Sequence, residues 1–546
     1  MRLINVKNLK LHEFYEESRI PKYAILSHTW SVDEVGLQEF EQLSAGGPSA
    51  RDTRAKKGYL KIVAACYAAE ASGLEWCWVD TCCIDKKSSA ELSEAINSMF
   101  KWYSQSKVCM VYLNDMDVRT EAQSEKGEFP IPDGCRWFTR GWCLQELIAP
   151  QNMMFYDKEW NAVATKTDVS QLLSEKSGIP QSVLDDPNEL SSIPVACRLA
   201  WASKRETTRV EDQAYCLLGI FDINMPLLYG EGSKAFIRLQ EQILQHHGDL
   251  SLFAWVPDER QHKTYMDMFA PSTKQFAHSY DTYWTSQGNF HTQNVCSVGS
   301  RGVHMTRTRF QTRDPQCITE APSDDLSLGC SSKALGPWIL SLRMVGSGVY
   351  VRLRHGSGSD LTPGENWTLV DHNNIFIVPR INRDVLQSIE SYHRASICIA
   401  PSEAKMARFA EAGPVEAFDF AGQRFLARDI FDFRAHIKFV PNYHHPEDFC
   451  IILMRLKSEN INTRTAFLYM LPSKKWRHLI TRRLFTSVDA QVHEAISLAG
   501  KPAAEATDMS ELRVGRYTCY AHLHQVEIHG ELAYELITHC QEEEGP

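Results

Sequence analysis

The sequence has no uninterrupted apolar run of about 18 residues, so no membrane span is expected. Its opening segment, MRLINVKNLKLHEF, is polar and charged, without the apolar core or cleavage site of a secretory leader. Basic charge is not in excess. The chain carries 58 Lys and Arg against 68 Asp and Glu, a net charge of -10, which argues against a general nucleic-acid binder. No G-x-G-x-x-G, P-loop or G-x-S-x-G motif occurs. Gly230-Glu231-Gly232-Ser233-Lys234 has the composition of a phosphate loop but not its spacing. There is no repeat of fixed period and no low-complexity tract.

Cysteine, by contrast, is plentiful. Nine of the 16 cysteines fall between Cys66 and Cys216. A zinc site from His28, Cys77, Cys82 and Cys83 can be considered, but no C-x-x-C pair occurs in this region, and Cys77-x4-Cys82-Cys83 matches no usual zinc spacing. The simplest reading is a reduced, cytoplasmic protein with free thiols and no metal.

A length of 546 residues corresponds to about three domains. The texture supports breaks near 165 and 255. In residues 1–165, four short runs that are apolar on both faces read as buried parallel strands: Tyr23–Ser27, Trp76–Asp80, Val108–Leu113 and Met153–Asp157. Helical patterns separate them. Leu60 to Leu74 is Ala-rich and ends near Gly73. Ser88-x-x-Glu91 is a capping-box pattern opening a helix with Leu92, Ile96, Met99, Phe100 and Tyr103 on one stripe. This alternation implies a parallel α/β sheet. Residues 166–255 read as a helical extension, clearest at Val195–Ser203, Glu211–Leu218 and Gly232–Gln245. Residues 256–546 read as a β-rich α+β domain, with strands at Trp338–Leu342, Val349–Arg354 and Ile375–Val378 and helices at Glu403–Glu411 and Ala490–Leu498. Thr120 to Gly134 reads as a mobile insertion loop.

Ligands of an open parallel sheet bind beyond the carboxyl ends of its strands. Ser27, His28, Thr29 and Trp30 follow the first expected strand. Asp80, Thr81, Cys82, Cys83 and Asp85 follow the second, and Asn114 and Asp115 the third. Arg140 to Leu147 precedes the fourth, with Trp142 and Glu146 paired at i, i+4. Four loops thus bring polar and aromatic groups to one edge. Each residue also has an ordinary role open to it. Glu146 reads equally as a surface residue or an ion-pair partner of Arg140. Asp80 and Asp85 suit turns. His28 suits a structural hydrogen bond, and Trp30, Trp78, Trp137 and Trp142 suit the core.

Tyr23-Ala24-Ile25-Leu26-Ser27-His28-Thr29-Trp30, Trp78-Val79-Asp80-Thr81-Cys82-Cys83-Ile84-Asp85 and Arg140-Gly141-Trp142-Cys143-Leu144-Gln145-Glu146-Leu147-Ile148-Ala149-Pro150 together resemble, in order, the fungal HET (heterokaryon incompatibility) domain. Trp201 to Arg209, Glu211 to Phe221, Leu228 to Gly232 and Asp249 to Trp255 resemble the region that follows such domains, and Phe269-Ala270-Pro271-Ser272 a segment found beyond it. The HET domain is in turn similar to TIR domains. Their W-C-x-x-E-L signature, whose glutamate is catalytic in NAD-cleaving members, is matched by Trp142-Cys143-Leu144-Gln145-Glu146-Leu147. The helix with Glu91, Leu92, Ala95 and Ile96 resembles the TIR segment upstream of it. TIR domains do not carry Cys-Cys-Ile-Asp after the second strand.

The resemblance implies a TIR/flavodoxin-like parallel sheet in the N-terminal domain and a cell-death effector of fungal nonself recognition. By it, Glu146 is the catalytic residue, and Ser27, His28, Trp30, Asp80, Cys82, Asp85 and Trp142 line the substrate site. NAD is then the substrate, with no cofactor, cleaved at the nicotinamide–ribose bond. Self-association through the HET domain and an upstream nonself-recognition partner follow from the same resemblance. The alternative is a non-catalytic, self-associating signalling scaffold that triggers incompatibility-type cell death.

Overall fold

The computed structural model of the chain describes residues 1–43, 48–117, 134–258, 265–285 and 296–306, and beyond them 308–313, 324–346, 348–353, 367–372, 375–383, 385–386, 396–399, 408–413, 418–419, 424–426, 432–440, 450–460, 463–472, 510–514, 517–528 and 531–542. It divides into two compact units. The first comprises Met1–Gln261, Phe269–His291 and Leu328–Trp338, and the second His262–Met268, Thr292–Ser327 and Ile339–Pro546. No helix among the described residues is long and apolar enough to cross a membrane.

The first unit is built on seven strands: β1 (Arg2–Asn5), β2 (Lys10–Glu13), β3 (Ala24–His28), β4 (Trp76–Trp78), β5 (Val108–Tyr112), β6 (Met153–Tyr156) and β7 (Ala162–Thr165). They form one sheet in the order β2-β1-β4-β3-β5-β6-β7. The central four, β4-β3-β5-β6, are mutually parallel, and antiparallel strands close both edges. All four runs expected from sequence are parallel strands, within two residues at each end. Their two-sided apolarity has its cause in burial: every residue of β3, the strand between β4 and β5, is buried.

The helices of this α/β region are α1 (Leu37–Gln42), α2 (Pro48–Ala55), α3 (Lys57–Ala71), α4 (Asp80–Cys83), α5 (Ser89–Gln105), α6 (Arg136–Thr139) and α7 (Cys143–Ile148). Gly73, at φ +73°, ends α3: its own N–H donates to the Glu70 carbonyl and the Leu74 N–H to the Ala69 carbonyl, so two orphan carbonyls are satisfied. Ser88 caps α5 by accepting from the Glu91 N–H at 3.3 Å. The reciprocal half of the capping box is diverted, because the Glu91 carboxylate takes the Asp85 N–H and pairs with Arg2 instead. Ala95, Ile96, Met99 and Tyr103 of α5 are fully buried, whereas Leu92 and Phe100 of the expected stripe are half-buried.

The helical extension carries α8 (Ser170–Ser177), α9 (Gln181–Asp185), α10 (Val195–Ala200), α11 (Asp212–Tyr215) and α12 (Lys234–His247). It is fastened to the sheet region. Asn97 of α5 exchanges hydrogen bonds with the Met225 backbone in both directions, at 3.2 and 3.4 Å. Arg140 and Glu206 form a parallel β-bridge, with Gly141 N–H to Glu206 O at 2.9 Å and Glu206 N–H to Thr139 O at 2.6 Å. A Cβ on Gly141 would lie 2.5 Å from Thr207 Cγ2, so beside this threonine the close approach favours glycine.

The second unit is β-rich. Arg408–Gly413, Asp432–Val440, Cys450–Asn460 and Thr463–Pro472 form an antiparallel four-stranded sheet in that order. Tyr517–Ile528 and Glu531–Glu542 form a long hairpin within a six-stranded sheet. The strands expected at Val349 and Ile375 are present as Val349–Leu353 and Ile375–Ile377, and the Trp338–Leu342 run falls in a strand, Gly336–Gly346. The helix expected over Glu403–Glu411 is corrected: residues 408–413 are a strand pairing with 436–440, and tertiary pairing overrides the local helical pattern. Residues 403–407, the expected Ala490–Leu498 helix and residues 120–133 of the insertion loop lie outside the described residues.

Candidate active site

The chain runs from β3 out to β4 and then back across β3 to β5, so the strand order reverses between β3 and β5. Such a reversal opens a crevice beyond the carboxyl ends of the strands. Ser27 and His28 end β3. Thr29, just after β3, donates its hydroxyl to Asn114 Oδ1, after β5, at 3.2 Å. Asp80 opens α4 immediately after β4. Its two carboxylate oxygens are divided: Oδ1 lies 2.9 Å from His28 Nε2, and Oδ2 accepts the Trp30 indole N–H at 2.8 Å. Burial works against the charge on Asp80, but the His28 hydrogen bond and charge, Lys86 and the Trp30 N–H outweigh it, and its carboxyl titrates below the ordinary aspartate range. Trp30 is 43% exposed and carries the Lys86 ammonium 3.5 Å from its ring centroid.

Glu146 enters from α7, every residue of which is buried. Its carboxyl, in a residue only 7% exposed, accepts a hydrogen bond from the Ser27 hydroxyl. The Cys143 thiol, one turn earlier, and the Tyr103 hydroxyl of α5, which donates to the Leu26 carbonyl at 3.1 Å, also favour its ionised form. Burial is the largest influence, the negative charge of Asp80 adds to it, and these donors only partly offset the two. The Glu146 carboxyl is thereby pushed up to about 8. The buried Lys166 closes the end of α7. Its ammonium donates to the Pro150 carbonyl at 2.7 Å and the Ile148 carbonyl at 3.4 Å, and burial lowers it to about 8.

Neither ordinary reading of Glu146 fits this arrangement: it is buried, and Arg140 is engaged elsewhere. The Arg140 guanidinium donates to Thr208 Oγ1 at 3.1 Å, while Arg205 donates to the Arg140 carbonyl at 2.9 Å. Ser27, His28, Trp30, Asp80 and Glu146 thus form one connected group, Glu146 joined to Ser27 by contact and to Asp80 by charge. The other three lie elsewhere. Cys82 is fully buried with its thiol 3.9 Å from the Val79 carbonyl, and burial beside Cys83 raises that thiol well above the ordinary range. Asp85 accepts from Lys87 N–H and the Gln38 amide at the turn before α5. Trp142 hydrogen-bonds Asp212 of α11, away from Ser27.

Two features escaped the sequence. Trp137, expected as core, is buried but donates its indole N–H to Ser27 Oγ at 2.7 Å. Its position three residues before Arg140 was the available signal. Lys86 follows Asp85 directly, yet nothing in sequence points it at Trp30. Several buried atoms at this edge have no partner: His28 Nδ1, Glu34 Oε2 and Thr81 Oγ1. The Gly230 and Gly232 N–H groups of the phosphate-loop look-alike are already taken by the Glu211 carboxylate, at 2.8 and 3.0 Å. Among the described residues no group of three or more His, Cys, Asp and Glu side chains is arranged to hold a metal ion.

Residues 23–133 match the family model described as Heterokaryon incompatibility protein (HET). Residues 234–300 match a domain of unknown function, DUF8212. The chain is 44% identical over 237 residues to Vegetative incompatibility protein HET-E-1 of Podospora anserina, which is 43% of this chain and 17% of that protein. The chain therefore spans about a sixth of its relative's length. No solved structure matches it.

Proposed function

We propose that this chain is an effector of incompatibility-type cell death whose α/β region cleaves NAD at the nicotinamide–ribose bond. The observation that carries the reading is the convergence of Ser27, Asp80 and Glu146, from three separated motifs, at the carboxyl edge of parallel strands. The order β4-β3-β5-β6 supports a TIR-like, flavodoxin-type frame for that edge. The similarity to a vegetative incompatibility protein supports the biological setting. A cytoplasmic location, self-association and an upstream nonself-recognition partner belong to the same reading.

Breaking the nicotinamide–ribose bond passes through an oxocarbenium-like state, and a water molecule then forms the new bond to the ribose carbon and gives up a proton to solvent. Nicotinamide departs as a neutral molecule, so its departure needs no general acid. A carboxylate beside the ribose stabilises the developing positive charge and accepts from the ribose hydroxyls. Glu146 fills that role once ionised. Its elevated titration, about 8, means that in the free protein it is mostly protonated at neutral pH. The pyridinium ring of NAD is cationic, so its binding favours the carboxylate and expels the proton. Trp30 offers an exposed ring for stacking on nicotinamide or adenine, and Lys86 supplies a cation at the same edge for the diphosphate.

The test is nicotinamide release from NAD by the purified full chain, wild type beside Glu146→Gln, including conditions that drive self-association. Release by wild type alone is expected. No release by either protein overturns the reading.

The scaffold reading is favoured by the burial of Glu146, together with exposed Leu60 and Tyr67, two turns apart on one face of α3. If folded Glu146→Gln kills cells on overexpression as well as wild type does, assembly rather than catalysis is the function.

A further inference from the structure

An indole N–H can only donate a hydrogen bond. The Trp137 nitrogen lies 2.7 Å from Ser27 Oγ, so Ser27 must accept there. Its own proton is then free for its other neighbour, Glu146 Oε2. With Glu146 ionised the chain Trp137→Ser27→Glu146 has one direction, because a carboxylate only accepts and the Ser27 proton has no other neighbour to serve. Both Trp137 and Ser27 are fully buried, so water does not compete for either bond.

The indole is itself held. It meets Phe138 edge-on at 4.9 Å and Phe155 of β6 at 6.0 Å. Helix α6 is anchored behind it: the Arg136 N–H donates to Asp115 Oδ2 at 2.7 Å and Cys135 Sγ to Asp115 Oδ1 at 3.2 Å. Asp115 lies just beyond β5. The relay therefore refers the Glu146 carboxyl to two neighbouring parallel strands at once.

We propose that Trp137 is a positioning residue: through Ser27, its indole N–H orients and stabilises the ionised Glu146 carboxylate. Ser27 is on this view part of the device that prepares Glu146, rather than a contact for substrate. The inference rests on Glu146 being the working carboxylate of the proposed function. The other groups facing Glu146 are Asp80 of α4, Tyr103 of α5, Cys109 of β5, Cys143 of α7 and Arg205 of the extension. Of these only Asp80 and Arg205 carry charge at neutral pH, and neither bonds Ser27 or Trp137. Polarisation along a hydrogen-bond chain is cooperative, so loss of the far donor weakens the near one.

The test is the titration of Glu146 in the full chain. It is followed by carboxyl carbon-13 NMR with selectively labelled glutamate, the signal assigned by its disappearance in Glu146→Gln. Ser27→Ala is expected to raise the Glu146 titration by about one pH unit, as for loss of a hydrogen bond to a charged group. Ser27→Thr restores it. Trp137→Phe shifts it in the same direction by a smaller amount, and has no further effect when Ser27 is already alanine. Melting temperatures of all variants report folding separately. If folded Trp137→Phe leaves the titration unmoved, or moves it equally with and without Ser27, the relay does not exist. If the titration behaves as expected but the wild type does not release nicotinamide, the relay stands and NAD cleavage fails. Where NAD is turned over, Trp137→Phe lowers kcat several-fold at fixed pH with KM nearly unchanged.

Discussion

Ser27 and Glu146, 119 residues apart in sequence, share a hydrogen bond in the interior of the first unit. Their contact makes Glu146 a stability probe as well as a candidate catalyst. The folded carboxyl titrates near 8, well above an unfolded glutamate. Between about pH 4.5 and 8 the folded state therefore binds more protons than the unfolded state, and stability falls as pH rises through that window. Glu146→Gln removes this fall. The variant should be the more stable protein at pH 8.5 by on the order of 4 kcal/mol, and the advantage should vanish near pH 4.5. Denaturant unfolding of both proteins across this range checks it.

The same carboxyl sets the pH dependence of turnover. kcat/KM reports the free protein and kcat the bound complex. kcat/KM for NAD should rise with pH through about 8, where the free carboxyl ionises. kcat should rise at a lower pH, because the bound pyridinium favours the carboxylate. Coincident profiles would show that the cation does not reach Glu146.

Asp80 shows the opposite sign. His28, Lys86 and Trp30 hold its carboxyl below the usual range, so it contributes stability above about pH 4 that is lost as pH falls through the folded value. Asp80→Asn should cost about 1–3 kcal/mol at pH 7. The difference from wild type should shrink on acidification. Trp30 loses its charged acceptor in this variant, so its fluorescence should change at neutral pH.

Gly141→Ala places a methyl 2.5 Å from Thr207 Cγ2 and 3.1 Å from Cys216 Sγ. A loss of about 1–3 kcal/mol is expected. Thr207→Ser, which removes that methyl, should recover most of it. Urea midpoints of the two single variants and the double variant decide the matter. Recovery would locate the strain at the bridge rather than in α7.

Short parallel strands were legible because burial on both faces writes one unbroken apolar run, as in Ala24–His28. The helix caps at Gly73 and Ser88 were legible because their chemistry is local. The Glu403–Glu411 reading failed where it can be judged, since the partner of residues 408–413 lies at 436–440 and no local pattern announces it. At the site, the ordered motifs placed Ser27, His28, Trp30, Asp80 and Glu146 at one edge. Cys82, Asp85 and Trp142 sit in the same motifs but face a thiol cluster, a turn and α11. A motif reports which segment converges, not which way each side chain turns. Trp137 was hidden for a related reason: a tryptophan written as core can still direct its one polar atom at a buried polar neighbour, here Ser27.

The bridge between Arg140 and Glu206 has a practical bearing on protein engineering. A chimera grafting only the sheet onto another chain would strip the Gly141 amide and the Arg140 carbonyl of their partners. The loop ahead of Glu146 would then be held only from the α6 side, and a silent graft would say nothing about the glutamate. Residues 23–133 alone fare worse, because they end before Trp137 and Glu146. A transplant meant to carry the site must keep the extension, including Gln240, whose side-chain amide clasps the Ala270 backbone in both directions.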